Sequence, residues 1–299
     1  MTDNLRAIIA VLIGSTAFVL NDAMVKLVSS ELPSGEIIVV RGILATSMLI
    51  VGVAVTGAAR PLRILLAPMM LLRLCSAAAA TTFIVMSLRE LPLATVNTVL
   101  QVTPLAVIAG AAIVYGEKVG LHRWLATLTG FVGVLLIVKP GGGFAPGAYL
   151  ALTALLFTTM RDLSTRGLHH DIPSIFVAAA SAAAITLAGL LVAPFDGPWS
   201  APSGRAWTLM TVSAACLFVA NTFIIIALRT GEISVVAPFR YAPVPLSILL
   251  GYWWWGDIPD AVAFLGIGLV LAAGLYTLQR ERLAVTANRI ATPHRSPAE

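Results

Sequence analysis

Asp22, Arg41, Asp162 and Arg240 are charged residues set inside long apolar runs. In such surroundings a charge has few uses. It pairs with an opposite charge, it meets a charged group of a ligand, or, for an aspartate, it holds and releases a proton. An arginine near the centre of an apolar helix costs about 2.5–3.5 kcal/mol on insertion scales. Arg240 must therefore face a cavity or a partner. It sits in "VVAPFRYAPVPLSILLGYWWWGD", residues 235–257, beside Tyr241 and among Pro238, Pro243 and Pro245. Those prolines remove backbone donors and loosen a helix. Freed carbonyls are tolerated only where protein or water surrounds them. Arg240 is thus a candidate for attracting a carboxylate, with the Tyr241 hydroxyl or ring beside it. A structural ion pair with Asp162, or snorkelling to the surface, are the competing uses. A second polar patch, "NTVLQVTP" over 97–104, offers Asn97, Thr98, Gln101 and Thr103 beside Pro104. Asn97 and Gln101 are four apart and share one helical face. They line a cavity or bond between helices; both uses are common where helices pack in lipid. Asn221 and Thr222, and Thr81 and Thr82, are further polar groups within apolar runs.

The elements that carry these residues are membrane spans. Of 299 residues, 59% are hydrophobic and 11% charged, and the mean hydropathy is +0.94. Soluble chains are about a quarter charged. A spanning helix needs about 20 mostly apolar residues. Spans are predicted to begin near Leu5, Gly35, Met69, Leu93, Leu121, Gly147, Pro173, Leu209, Ile233 and Pro259. They end near Val28, Thr56, Leu88, Val114, Val138, Leu168, Val192, Leu228, Trp255 and Leu278. The expected fold is an all-α membrane protein of ten transmembrane helices. The runs do not alternate, as the strands of a transmembrane β-barrel do, which speaks against that architecture. The run from Leu5 is of spanning length with no clear cleavage site after it, so it is kept as the first helix. The tail 281–299 is expected to be a disordered cytoplasmic segment.

Lysine and arginine set the orientation. With the N-terminus in the cytoplasm, Arg6, Arg60, Arg63, Arg73, Lys118, Arg123, Arg161, Arg166, Arg229 and the arginines from Arg280 onward lie inside. Lys26, Arg89, Lys139 and Arg205 lie outside. Both termini are then cytoplasmic. The net charge of +5 is accounted for by anionic lipid and does not call for nucleic acid. Cys75 and Cys216 fall inside spans, and His169–His170 falls in a loop, where a solvated turn is expected. Metal, redox and cofactor chemistry have no motif, and no phosphate-cradling glycine loop is present.

The chain is a duplication. Shifted by 140 residues, Asn21-Asp22 falls on Arg161-Asp162, Lys26 on Arg166 and Pro33-Ser34 on Pro173-Ser174. Thr82-Phe83 falls on Thr222-Phe223, Leu88-Arg89 on Leu228-Arg229, and Gly116-Glu117 on Gly256-Asp257. The halves are 1–139 and 147–280, joined by a linker over 140–146. Five spans is an odd number, so the second repeat enters the membrane inverted. Inverted repeats are a transporter design, with a site between halves that rock. Asp22 then lies towards the outside and Asp162 towards the cytoplasm. Asp22–Arg41 and Asp162–Arg240 are candidate gates or proton-coupling groups; helix-end structural roles are the alternative. "YWWW", Tyr252 to Trp255, is expected to form an interfacial aromatic belt. Glu117 and Asp257 are expected to cap or shape the following helix.

At this point the chain resembles the drug/metabolite transporter superfamily, in its EamA-type ten-helix branch, over nearly its whole length. The resemblance is carried by "LRELPLATVNTVLQVTPLAVI" and "YGEKVGLHRWLATLTGFVGVLLIVKPGG" in the first half. In the second half it is carried by "LRTGEISVVAPFRYAPVPLSILLGYWWWGDIPD" and "GIGLVLAAGLYTLQRER". Asp257 departs from the pattern, which usually has Glu after Gly there. The resemblance implies a bacterial inner-membrane secondary transporter of small metabolites, working by alternating access, and not an enzyme. Amino acid export is the leading expectation, with Arg240, Tyr241, Asn97, Thr98, Gln101 and Asn221 as substrate-binding candidates. Import of a vitamin or nucleotide-like metabolite, of the riboflavin or S-adenosylmethionine type, is the alternative. A membrane-embedded enzyme would need clustered acidic or His residues at one face. The expected partners are a small-molecule substrate and the lipid bilayer, with the chain a monomer or weak dimer. Thiols introduced beside Gly116 and Gly256 are expected to label from opposite sides of the membrane; labelling from one side would refute the inversion.

Overall fold

Lipid offers the backbone no hydrogen-bond partners, so a chain this apolar must satisfy its own peptide groups within helices. The computed structural model describes residues 3–117, 119–138, 146–168, 171–230 and 236–291, and their regular structure is helical throughout. The helices are α1 (Asp3–Val28), α2 (Ser34–Thr56), α3 (Pro68–Glu90), α4 (Leu93–Leu100), α5 (Thr103–Val114) and α6 (Leu121–Val138). They continue as α7 (Pro146–Arg166), α8 (Ser174–Val192), α9 (Gly204–Thr230), α10 (Pro243–Trp255) and α11 (Ala261–Ala291). Short 3₁₀ turns lie at Leu62–Leu66, Ala193–Phe195 and Ala237–Tyr241. Large apolar side chains stand on the outside, among them Val55, Ile113 and Leu191. That is the surface of a protein bathed in hydrocarbon.

Eight helical stretches among the described residues are long and apolar enough to cross a bilayer, counting α4 with α5 as one. Two of the ten expected spans do not meet that measure. α7 carries Arg161, Asp162 and Arg166. The segment before Trp255 is split into the turn Ala237–Tyr241 and the thirteen-residue α10. The fourth expected span is also split, at Gln101–Val102. Pro104 has no N–H for the Leu100 carbonyl, and the Thr103 hydroxyl donates to that carbonyl instead, at 2.6 Å. The last helix corrects an expectation. It continues to Ala291, so residues 281–291 are helical where a disordered tail was expected. The linker up to residue 145, Lys118, Lys139, His169–His170 and Arg295 lie outside the described residues.

The helix pairings have the symmetry of an inverted repeat. Under the 140-residue shift α1 maps to α7, α2 to α8, α3 to α9, and α6 to α11. α1 packs on α9 while α3 packs on α7, and each pair maps onto the other. α2 packs on α8 and α6 on α11, and these pairs map onto themselves, while α4 packs on α10, the repeat mate of α5. The hydroxyls of Thr46 and Thr186, residues 140 apart, approach to 3.4 Å. A residue meets its own repeat mate only where the symmetry axis passes between them. The same helix end recurs as well. Gly116 and Gly256 both take the left-handed conformation, with φ of 66° and 70°. The following N–H then closes back on the carbonyl six residues earlier, Glu117 to Ala111 and Asp257 to Gly251. Glycine supplies this conformation without the penalty of a Cβ.

α6 and α11 cross backbone to backbone at Gly133 and Gly266. A methyl group on Gly133 would lie 2.7 Å from the Gly266 carbonyl oxygen, and one on Gly266 would lie 2.5 Å from that of Gly133. Gly133→Val is expected to destabilise the protein by about 1–3 kcal/mol, the usual cost of overpacking. Gly268→Ala, which meets nothing within 4 Å, serves as the neutral control. Thermal melting of the two variants in detergent checks this.

Candidate functional site

The polar interior is built on Asn21 and Asp22 of α1. Asn21 is buried and acts as a junction. Its Oδ1 accepts from Arg41 Nη1 at 3.2 Å and from the Ser213 hydroxyl at 2.7 Å, and its Nδ2 donates to Asp22 Oδ1 at 2.9 Å. Asp22 also accepts from the Asn97 side chain and feels the Arg41 charge. Arg41, Ser213 and Asn97 are buried. The network therefore ties α1, α2, α4 and α9 together, and α9 belongs to the second half. Asp22 and Arg41, expected as a direct pair, share this network with Asn21 as the link between them.

The repeat-related positions form a second cluster. Arg161 Nε and Nη2 both reach Asp162 Oδ1 at 2.9 Å. Arg73 Nη1 donates to the Ser181 hydroxyl at 2.7 Å, and its charge interacts with both Arg161 and Asp162. The shift by 140 takes Arg41 to Ser181 and Arg73 to Ser213. Each cluster thus holds an aspartate, an arginine and a serine on equivalent helices, with arginine and serine exchanged. The two differ in exposure. Arg41 is 7% exposed and Asn21 4%, whereas the Arg161 and Asp162 side chains are 35% and 41% exposed.

This arrangement corrects the expected Asp162–Arg240 pair. Asp162 is held by Arg161, with Arg73 nearby, and the Arg240 side chain is exposed. Arg73 had been read only as a basic residue of the cytoplasmic side. In the sequence it is hidden, because an arginine exchanged for a serine leaves no identity under the 140-residue shift. Complementary charge across the two columns is the signal that remained.

The other candidates separate. The Gln101 side chain donates to the Arg240 carbonyl at 2.8 Å and so ties the two broken segments to each other. Tyr241 is buried against α11, where a methyl group at Gly274 would collide with its hydroxyl. It packs between elements, where a place beside a bound carboxylate had been expected. Thr98 and Asn221 donate to Ala94 and Leu217 of their own helices. Helical hydroxyls and amides commonly do this. Thr82 and Thr222 do likewise, to Ala78 and Phe218.

Towards the C-terminal end of α1, Lys26 Nζ donates to the carbonyls of Leu88 and Leu91 and lies 5.4 Å from the centre of the Trp255 ring. Carbonyls at a helix C-terminus welcome a cation. Asp257 interacts with the same lysine. The repeat mates of these two, Arg166 and Glu117, form an ion pair at 3.6 Å. Glu117 and Asp257 therefore meet cations of the opposite half. The cap of the last helix is Asp260, which accepts from the Ala263 N–H at 2.9 Å. Tyr252, Trp253 and Trp254 are exposed, while Trp255 turns inward to Lys26. Beyond them, residues 31–36 are bonded to residues 196–205. Gly35 N–H donates to Asp196 at 3.1 Å, Ser200 N–H to Glu36 at 3.2 Å, and Arg205 to Glu31 at 2.6 Å. Among the described residues no three His, Cys, Asp or Glu side chains are grouped to hold a metal ion.

Known proteins resemble this chain. A family model described as the EamA-like transporter family matches residues 5–139 and again residues 145–278. The chain is 30% identical over 190 residues to a riboflavin transporter of Vibrio cholerae serotype O1, 61% of this chain and 61% of that one. It therefore spans 61% of the length of that relative. It is 26% identical over 282 residues to the pseudopaline exporter CntI of Pseudomonas aeruginosa, 92% of this chain and 96% of that one. A solved crystal structure superposes with a TM-score of 0.62 at 21% identity, over 92% of this chain and 98% of the other, and shares the fold.

Removing one member of a buried charged pair leaves the other uncompensated, at a cost of about 3–5 kcal/mol. Asp22→Ala is therefore expected to destabilise strongly, and Asp22→Ala/Arg41→Met to recover part of the loss. Melting curves of the wild type, Asp22→Ala, Arg41→Met and the double variant in detergent check this; strictly additive losses would mean the two residues are not coupled.

Proposed function

The chain belongs to the EamA-like transporter family, and from that premise we propose that it is an inner-membrane secondary carrier working by alternating access. In this reading ten spans form two inverted five-helix repeats, 1–139 and 147–280, with both termini in the cytoplasm. α7 and the segment 236–255 complete the count, as the repeat mates of α1 and of α4 with α5. Their broken or charged character suits helices that line a path, because irregular backbone is tolerated at membrane depth only against protein or water.

One observation carries the mechanism: two repeat-related Asp–Arg–Ser clusters, one buried and the other partly open. The Asp22, Asn21, Arg41 and Ser213 network is the closed outer gate, reinforced by the bonds between residues 31–36 and 196–205. The Asp162, Arg161, Arg73 and Ser181 cluster is the inner gate, here loosened towards the cytoplasm. Rocking of the halves would exchange these conditions. Asn97, which joins the outer network through Asp22, and Gln101, one turn further along the same segment, are the groups proposed to meet a solute, with Arg240 near the cytoplasmic mouth.

The solute in this proposal is a vitamin or nucleotide-like metabolite of the riboflavin type. Support comes from the similarity to a riboflavin transporter and from the neutral amides at mid-depth, which suit a flat solute rich in carbonyls and ring nitrogens. Amino acid export, the first expectation, was carried by the family resemblance with weak support from Arg240, and Tyr241, expected beside that arginine, packs against α11. Export of the proposed solute is the second reading of direction, favoured by the nearly full-length similarity to the pseudopaline exporter. In proteoliposomes, labelled riboflavin is expected to exchange against unlabelled riboflavin and not against amino acids. Exchange of amino acids alone would overturn the solute class.

A further inference from the structure

The two repeat-related clusters are not equally balanced. The outer one holds one aspartate and one arginine, with Asn21 as a neutral link. The inner one has Arg161 in place of Asn21, so one aspartate faces two arginines. Arg161 already occupies Asp162 at 2.9 Å. Arg73 is left with a hydroxyl as its partner, that of Ser181 at 2.7 Å. Its Nε is buried and has no hydrogen-bond partner. A buried guanidinium donor without an acceptor is costly and calls for an anion. The position is also reachable, since the Arg161 and Asp162 side chains beside it are substantially exposed.

From this imbalance we infer that Arg73, Arg161 and Ser181 form a seat for an oxyanion at the cytoplasmic end of the path. A carboxylate or a phosphate group would complete it. Such a group accepts from the free Arg73 donors, neutralises the surplus charge, and gives the Ser181 hydroxyl an alternative acceptor to Val177, which it now bonds at 2.7 Å. The outer cluster has no matching surplus, so the seat belongs to one side of the membrane. The inference rests on the carrier reading for its purpose, but its chemistry can be tested without a transported solute.

The test uses the full-length chain in nanodiscs with Cys75 and Cys216 replaced by alanine and Ser181→Cys added. The thiol is treated separately with a sulfonate-bearing and a trimethylammonium-bearing methanethiosulfonate. The seat predicts that the anionic reagent reacts about tenfold faster, the scale on which a charged cleft concentrates counter-ions. Arg73→Gln should abolish the preference and Arg73→Lys should keep it, with elution of each variant as a monodisperse peak confirming folding. Equal rates, no reaction with either reagent, or a preference that survives Arg73→Gln would overturn the seat. Riboflavin 5′-phosphate and pantothenate, offered as protectants with riboflavin as the uncharged control, separate phosphate from carboxylate; protection by neither overturns the seat as well. A charge preference without riboflavin exchange would keep the seat and discard the proposed solute. Exchange without a charge preference would do the reverse.

Discussion

A fixed charge inside a bilayer has to be met by protein, and the arrangement around Arg41 follows from that demand. Arg41 lies seven residues into α2, roughly 10 Å below its start at 1.5 Å per residue, too deep to be met by headgroups. Its guanidinium can only be satisfied if α1 presents an acceptor at the same depth, which Asn21 does. The same amide oxygen then fixes Ser213, and so the height of α9 against α1. Asp22 is drawn in through the amide nitrogen, and Asn97 brings α4 to the same point. Four helices from both halves are thereby set in register by one arginine. Apolar packing alone would leave that register weakly determined, since lipid tails are as apolar as the side chains they replace.

Duplication explains why a second polar cluster exists, and exchange explains why it is different. A fold with two-fold pseudosymmetry carries each contact twice, once towards each face of the membrane. Arg41 with Ser213 on one side becomes Ser181 with Arg73 on the other. The donor and the hydroxyl change helices while the aspartate stays. Lys26 with Asp257, and Arg166 with Glu117, repeat the same logic at the two rims. In each case the partners come from different halves, so a motion of one half against the other stretches or closes these contacts and leaves those within a half alone.

Much of this was legible from residue order. Apolar runs of spanning length had to become helices, and one offset of 140 residues carried the pairing pattern. Asp22 and Arg41 stood out because charge in such runs is expensive. Other features were hidden for physical reasons. Arg73 looked like an interfacial arginine because it is only five residues into α3, and depth is not encoded in type. Tyr241 follows an arginine in the chain, but on a tight helical turn neighbours point different ways, and its ring found the gap left by the missing side chain of Gly274. The tie from Gln101 to the Arg240 carbonyl depends on a peptide group left open by two helix breaks meeting each other, which no pattern of side chains announces. The extension of the last helix to Ala291 was masked by polarity, which ends a membrane span without ending a helix.

A carrier made of two identical inverted halves would have inward-facing and outward-facing states of equal energy. Every departure from identity tilts that balance. Here the departures include the polar clusters: asparagine against arginine at 21 and 161, and the crossed arginine and serine at 41, 73, 181 and 213. The outer cluster can balance its own charges when closed. The inner one, with two arginines and one aspartate, cannot. In the proposed carrier the state with the outer side sealed and the inner side open is accordingly favoured at rest. A ligand shifts such an equilibrium only by its differential affinity for the two states. An anion that binds the inner cluster neutralises the repulsion that resists its closure, so its binding energy is delivered where the resting bias has to be overcome.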